Sequence, residues 1–494
     1  MTAMDTTARR GRAGCPRVRG AAVLAGLALA AATVGCSGSG SGSGSGDAAD
    51  QADRAAEQQP PVPTTSPTTE QVREMSDAEL AAATYVAGYP LVVTTRTLQR
   101  LGGLVGVNSL FWQSTLSGPE SRIIVAPNRD TLYSIAVLDL RAGPMVLTLP
   151  EVADRYYTYQ LLDAWTESFA YIGTRATDGR AGTWVIAPPG WEGEAPAGAE
   201  VIEATTPQVF LLGRYLVDDE ADIADVLAVR DEASLRPLAG APGALPPLGA
   251  PAGPAQAVPA DATFFDELGA ALAVDPPTTE WQRELFAAAG DRLGVVAGAP
   301  AAAGDAAARD VLAAGAAAGA QRITDLRDRR SADAGTWAAN LGVGRYGDDI
   351  ELRALVARVG WGANVSEEAV YPVARTDADG APLDGSHTYR LTFPPGGLPP
   401  VDAFWSLSVY GADMFFVPHP SGRYTIGDRT PGLVTGDDGS LEITLSAADP
   451  GPGTNWLPVP DGPFVLMLRL YLPGPAVVDG TYEYPDVVRV DGPS

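Results

Sequence analysis

Asn128-Arg129-Asp130-Thr131 is the run with the most evident chemistry, set between two apolar stretches that read as strands. Arg129 offers a planar fork for a carboxylate. Asp130 has the chemistry of a general base or a metal ligand. The same residues also describe a turn, in which Asn and Asp side chains bond nearby backbone N–H groups and Arg129 is salt-bridged for structure. Tyr133 follows closely enough to share a ligand with Asn128 and Arg129. A second polar group, Asp163, Trp165, Glu167 and Arg175, surrounds a strand end. If it faces a cavity, Asp163 and Glu167 become an acid and a base of the glycosidase kind, with Trp165 and Arg175 holding the ligand. Asp130 and Asp163 are therefore the catalytic candidates.

A third set lies near the C-terminus. Trp405, Tyr410, Trp456 and Tyr471 suit a carbohydrate or apolar ligand, and equally suit the core of a β-sandwich. Arg423 and Arg469 are near them in the chain. An arginine inside an apolar strand needs a partner if it is buried, which makes Arg469 the stronger ligand-binding candidate. Asn455 opens the loop Asn455-Trp456-Leu457-Pro458, where its amide can serve backbone or ligand alike.

Several chemistries are excluded. The chain has no lysine, so pyridoxal phosphate has no anchor and a phosphate loop has no ammonium group. The two histidines, His387 and His419, cannot build a three-histidine zinc site, and no metal centre is expected. Both cysteines, Cys15 and Cys36, lie in the first 36 residues, which removes thiol chemistry from the rest. No nucleophile elbow, zinc-protease helix or nucleotide-binding fingerprint occurs, and the cofactor is unknown. The formal charge of -26 repels nucleic acid and anionic lipid.

The beginning of the chain reads as an address. Five arginines precede an uncharged, Ala/Leu-rich run of about 15 residues, shorter than the roughly 20 needed to span a bilayer. Thr33-Val34-Gly35-Cys36 is similar to a bacterial lipobox, with Thr33 where an aliphatic residue is more usual. The expectation is a signal peptide over 1–35, lipidation at Cys36, and an extracytoplasmic protein anchored to the cell membrane. Residues 36–75 are rich in Ser, Gly and Pro and read as a tether reaching tens of Å. Arginine-only basicity with abundant Ala, Gly and Pro points to a high-GC, actinobacterial genome.

The elements that must position these residues follow. Ser76-x-x-Glu79 is a capping box, and Leu80, Tyr85, Leu91 and Val92 predict a helix running to about 101. Short apolar runs at 123–125, 132–140, 145–149, 157–162, 183–186 and 209–216 read as strands of a β-rich domain over 76–235. Residues 236–370 form a Pro/Gly insertion followed by helical patterning, with a capping box at Thr279-x-x-Gln282 and an Ala-rich stretch interrupted by glycine. Runs at 389–393, 404–410, 414–417, 441–445 and 464–471 predict a second β-rich domain over 371–494.

Pro127-Asn128-Arg129-Asp130-Thr131-Leu132-Tyr133-Ser134, Leu138-Asp139-Leu140, Arg155-Tyr156-Tyr157 and Ile172-Gly173-Thr174-Arg175 resemble the family called domain of unknown function 1254. Phe404-Trp405-Ser406-Leu407-Ser408-Val409-Tyr410, Arg423-Tyr424, Asn455-Trp456-Leu457-Pro458 and Leu468-Arg469-Leu470-Tyr471 resemble its companion, domain of unknown function 1214. The resemblance spans roughly 80–490. It implies an α+β, mainly β protein with two β-sandwich or jelly-roll-like domains joined by a helical segment, and it supplies no reaction. A cleft between the domains is the expected site. Three functions stay open: a binder of a small organic or glycan ligand, a carboxylate-dependent hydrolase working with or without a metal, or a structural envelope protein.

Overall fold

The structure, a computed structural model, describes residues 66–122, 126–238, 255, 257–303, 305–333 and 336–490. Cys36, the signal segment, the run at 123–125 and most of the Pro/Gly insertion lie outside the described residues. Among those described, nine α-helices and nineteen strands in four sheets make an α+β, mainly β architecture. No described helix is long and apolar enough to cross a membrane.

Helix Asp77–Val105 begins where its sequence places it. The Ser76 hydroxyl accepts from Glu79 N–H, and the Glu79 carboxylate accepts from Ser76 N–H at 2.6 Å. The helix is buried along most of its length, Pro90 included. Helices Thr263–Leu272, Glu280–Leu293, Ala306–Asp333 and Ile350–Val359 pack around it. The Ala-rich stretch runs unbroken through its glycines, because those glycines mark a helix crossing. A Cβ on Gly315 would lie 2.3 Å from the Ala81 Cβ, and one on Gly319 would lie 2.6 Å from the Tyr85 ring. The propensity lost at each glycine is offset by the close approach it permits.

These helices do more than join two domains. They form a layer on one face of an antiparallel sheet ordered Phe111–Trp112, Thr131–Asp139, Gln208–Leu216, Tyr157–Asp163, Ser168–Gly173. Ile135, Val137, Phe210 and Leu212 share a core with the helices. Leu132, Leu138, Val209 and Leu211 point the other way, into a second sheet built from Glu200–Glu203, Gly182–Ala187, Met145–Leu149 and Ser234–Pro237. Burial on both faces explains why these strands read as nearly continuous apolar runs.

The second domain repeats this logic. The paired strands Val401–Gly411 and Phe464–Pro473 turn Trp405, Leu407, Leu466, Leu468 and Leu470 into a sandwich core against the sheet containing Thr388–Phe393 and Leu441–Ser446. Short strands Trp337–Ala338 and Ala369–Val370, from the segment read as a linker, also join this domain. The expected strand at 414–417 is absent. Met414 has φ 62°, and Met414 and Phe416 fold back onto Tyr410 as a loop plug. The opposite face of Val401–Gly411 and Phe464–Pro473 carries Phe404, Ser406, Ser408, Tyr410, Arg469 and Tyr471. It is buried against the first domain.

Candidate functional site

The junction of the two domains is built on Asn128-Arg129-Asp130, just before strand Thr131–Asp139. Asn128 makes the expected local turn, its Oδ1 accepting from Asp130 N–H at 2.7 Å. Its Nδ2 donates to Thr131 Oγ1 and, across the domain boundary, to the Tyr471 hydroxyl, both at 2.9 Å. Asp130 is 4 % exposed and both its oxygens are taken by the second domain. Ser406 donates to one at 2.7 Å and Arg429 to the other at 2.9 Å. Arg429 also donates to Val217 O at 2.8 Å and lies 4.5 Å over the Phe404 ring. Arg469 completes the seam. It donates to Ser408 Oγ and Tyr410 Oη, both at 2.6 Å, and to the carbonyl of Ala126 at 3.0 Å, while Tyr410 donates to Pro127 O.

A cleft of about 500 Å³ opens beside this seam. Arg129, Asp130, Ser406, Thr425, Arg429 and Thr430 line one side, with Asp218, Asp219 and Glu220 at the rim. Arg129 donates to Ser117 O at 2.9 Å and to Glu220 at 3.0 Å.

Asn128, Arg129, Asp130, Tyr410, Arg469 and Tyr471 are thus brought together from positions about 280 to 340 residues apart in the chain. Asp163 is not among them. It pairs with Val209, opposite Leu138, at the far end of the sheet from Asp130. Eight residues of strand at 3.3 Å each put the two carboxylates roughly 25 Å apart. Asp163 Oδ1 accepts from the N–H groups of Trp165 and Glu167, and its Oδ2 accepts from Thr205 Oγ1. That is a closed hairpin turn. Burial raises the carboxyl to about 6. Glu167 pairs with Arg353 at 2.7 Å, so no free acid–base couple forms there.

The other expected residues serve packing or local structure. Trp165 is fully buried among the helices against Phe286, and Trp405 lies in the sandwich core against Phe393. Arg175 pairs with Glu368 at 2.6 Å. Trp456 Nε1 donates to Ser446 O, and Arg423 donates to the Trp456 carbonyl. Asn455 clamps the backbone of Val434 and Glu442. The reason is common to all of them. Residue type announces burial or a hydrogen bond, but the fold decides which face of a strand meets which neighbour. Ser406, Arg429 and Arg214 were missed. A lone arginine in the apolar strand Gln208–Leu216 is the same signal that singled out Arg469. Among the described residues, no group of three His, Cys, Asp or Glu side chains is placed to hold a metal.

Two β-rich domains fused along a polar seam, with a helical layer on the first, define a two-domain α+β protein with its cleft at the junction. Residues 107–237 match the family described as protein of unknown function DUF1254, and residues 368–475 match protein of unknown function DUF1214. The chain belongs to the DUF1254/DUF1214 family. It is similar to the crystal structure of the VPA0106 protein from Vibrio parahaemolyticus, with a TM-score of 0.67 over 84 % of this chain and 100 % of that one. At 22 % identity this likeness speaks for the fold alone. A putative uncharacterized protein from Burkholderia cenocepacia aligns over 90 % of this chain and 95 % of that one, at 13 % identity and a TM-score of 0.42. No curated protein matches the chain.

Proposed function

We propose that the protein is a lipid-anchored binder, outside the cytoplasm, of a small neutral polyhydroxylated molecule such as an envelope glycan fragment, held in the inter-domain cleft. The observation that carries this reading is the composition of the cleft wall. Hydroxyls of Ser406, Thr425 and Thr430 alternate with the ion pairs Asp130–Arg429 and Arg129–Glu220. Such a wall offers donors and acceptors in turn, the pattern that a polyol matches. Four carboxylates against two guanidiniums make the cleft net acidic, which opposes an anionic ligand. Hydrolysis is the weaker reading, because both Asp130 oxygens already serve as acceptors and Asp163 is closed in its turn. The address rests on the arginine-rich leader and Cys36.

The test is calorimetric titration of the full chain with neutral mono- and disaccharides and peptidoglycan fragments, in the native protein and in T425V/T430V. The expected result is saturable binding, weakened roughly tenfold when the two hydroxyls are replaced. Absence of binding, or equal binding by the variant, removes the cleft reading. Expressed in an actinobacterial host, the chain should incorporate labelled palmitate and sediment with membranes, and Cys36→Ala should abolish both. Label retained in Cys36→Ala would refute the anchor.

A further inference from the structure

Arg214 lies in the middle layer of the first domain, on the helix-facing side of strand Gln208–Leu216, and is 6 % exposed. Among the described residues no carboxylate pairs with it. Its acceptors are all neutral: Asn364 Oδ1 at 3.1 Å, Gln160 Oε1 at 3.3 Å and Gly362 O at 3.4 Å. Charge-assisted bonds usually fall near 2.7–2.9 Å, and Arg469, buried in the same region, makes two at 2.6 Å. Arg214 is therefore a buried cation held by long bonds to neutral groups, an arrangement that leaves its charge poorly compensated.

Phenols surround it. Tyr133 is its direct cross-strand partner, with the guanidinium 5.9 Å from the ring centroid. Tyr371, Tyr471 and Tyr156 lie within electrostatic reach. Tyr371 and Tyr471 meet edge-on at 5.9 Å. Tyr156 donates its hydroxyl hydrogen to Glu368 at 2.7 Å, and Arg175 neutralises that carboxylate. The other three differ. Tyr371 accepts from Asn364 Nδ2 at 3.0 Å and Tyr471 accepts from Asn128 Nδ2 at 2.9 Å. These bonds occupy oxygen lone pairs. The O–H hydrogens of Tyr371, Tyr471 and Tyr133 have no acceptor among the described residues. Tyr133 and Tyr371 are partly exposed, whereas Arg214 and Tyr471 are buried.

We propose that Arg214, with the hydroxyls of Tyr133, Tyr371 and Tyr471, binds a small monoanionic carboxylate. One guanidinium and neutral phenols offset one negative charge, and the two oxygens of a carboxylate match the edge of the guanidinium fork. A phosphate dianion would bring a second charge, and the other guanidinium in reach of Tyr471, that of Arg469, is already committed to Ser408, Tyr410 and the Ala126 carbonyl. Asn128 separates this site from the cleft, its Nδ2 holding Tyr471 while its Oδ1 holds Asp130 N–H. The two sites thus have opposite charge preferences on either side of one asparagine.

The experiment is calorimetry on the full chain with acetate, propionate and benzoate, against acetamide and benzamide as neutral isosteres and inorganic phosphate as the other anion. Ultraviolet difference spectra of the tyrosines are read in parallel. Carboxylates are expected to bind and to perturb the tyrosine band, the amides and phosphate are not, and T425V/T430V should behave as the native protein. Tyr371→Phe, which removes one donor without leaving a hole, should weaken carboxylate binding roughly tenfold or more, and Arg214→Gln should abolish it. Failure of every carboxylate to bind at about 10 mM overturns the proposal. So does a Tyr371→Phe protein that binds like the native one, or phosphate or amides binding as well as the acids. Should Arg214→Gln not fold, the Tyr371→Phe affinity and the tyrosine spectrum decide.

Discussion

Asp130 has the appearance of a catalytic carboxylate and the bonding of a rivet. Its two oxygens take Ser406 and Arg429 from the other domain, and its backbone carbonyl takes Val217 N–H. Replacing it with alanine leaves Ser406 without its acceptor and removes the nearest carboxylate from the half-buried Arg429, which keeps Asp218 and Asp428 within 4 Å, a loss of about 1–3 kcal/mol. Asp130→Asn keeps one acceptor and should cost less. Chemical denaturation of both variants measures the difference. An Asp130→Ala protein with native stability and abolished sugar binding would reverse the assignment from rivet to ligand contact. The local half of this site was legible from sequence, because an Asx turn is written within three residues. Ser406 was not, because its contact with Asp130 spans 276 positions and depends on which face of its strand points outward. Arg214 was legible in kind. An arginine flanked by Gly213 and Tyr215 in an apolar strand announces a buried cation, although nothing local names the phenols around it.

At the level of elements, capping boxes were legible and crossings were not. Ser76 with Glu79 and Thr279 with Gln282 fix helix starts through bonds that close within three residues. Glycines in the Ala-rich helix looked like interruptions, since a sequence shows their low propensity and hides the neighbour they admit. Gly319→Ala tests the distinction directly. Propensity alone predicts a gain of about 1 kcal/mol, whereas a Cβ 2.6 Å from Tyr85 predicts a loss of about 1–3 kcal/mol. A lowered urea midpoint supports the crossing, and a raised one refutes it. Aromatic residues follow the same rule. Trp405 could be read as core or as ligand wall and Trp165 as ligand wall, yet both rings are buried in cores, because the alternation of a two-sided strand does not say which neighbour receives each ring.

Across the whole molecule, a buried carboxylate couples the layers to pH. Asp275, fully buried just beyond helix Thr263–Leu272, accepts from Gln208 N–H at the end of the first sheet, and its second oxygen has no partner. Burial raises it to about 7; the Gln208 bond opposes this, and Asp163 and Asp139 add to it. The folded state therefore keeps a proton that the unfolded chain releases near its ordinary 3.8. By linkage, this group's contribution to stability is greatest below about pH 4, falls as pH rises towards 7, and is flat above. Asp163, raised to about 6, acts in the same direction. Asp275→Asn should flatten that part of the stability profile and melt higher than the native protein at pH 8. A profile parallel to the native one would show that the carboxylate is not the titrating group.

The face of the second domain that carries Phe404, Tyr410, Arg469 and Tyr471 has a consequence for how such a chain can change over generations. Half of what satisfies that face belongs to the other domain: the carbonyls of Ala126 and Pro127, the Asn128 amide and the Asp130 carboxylate. Neither half can be inherited, duplicated or exchanged alone without presenting an arginine and a sheet of aromatics to water. Recombination must carry the two together, and drift on one side of the seam must be answered on the other.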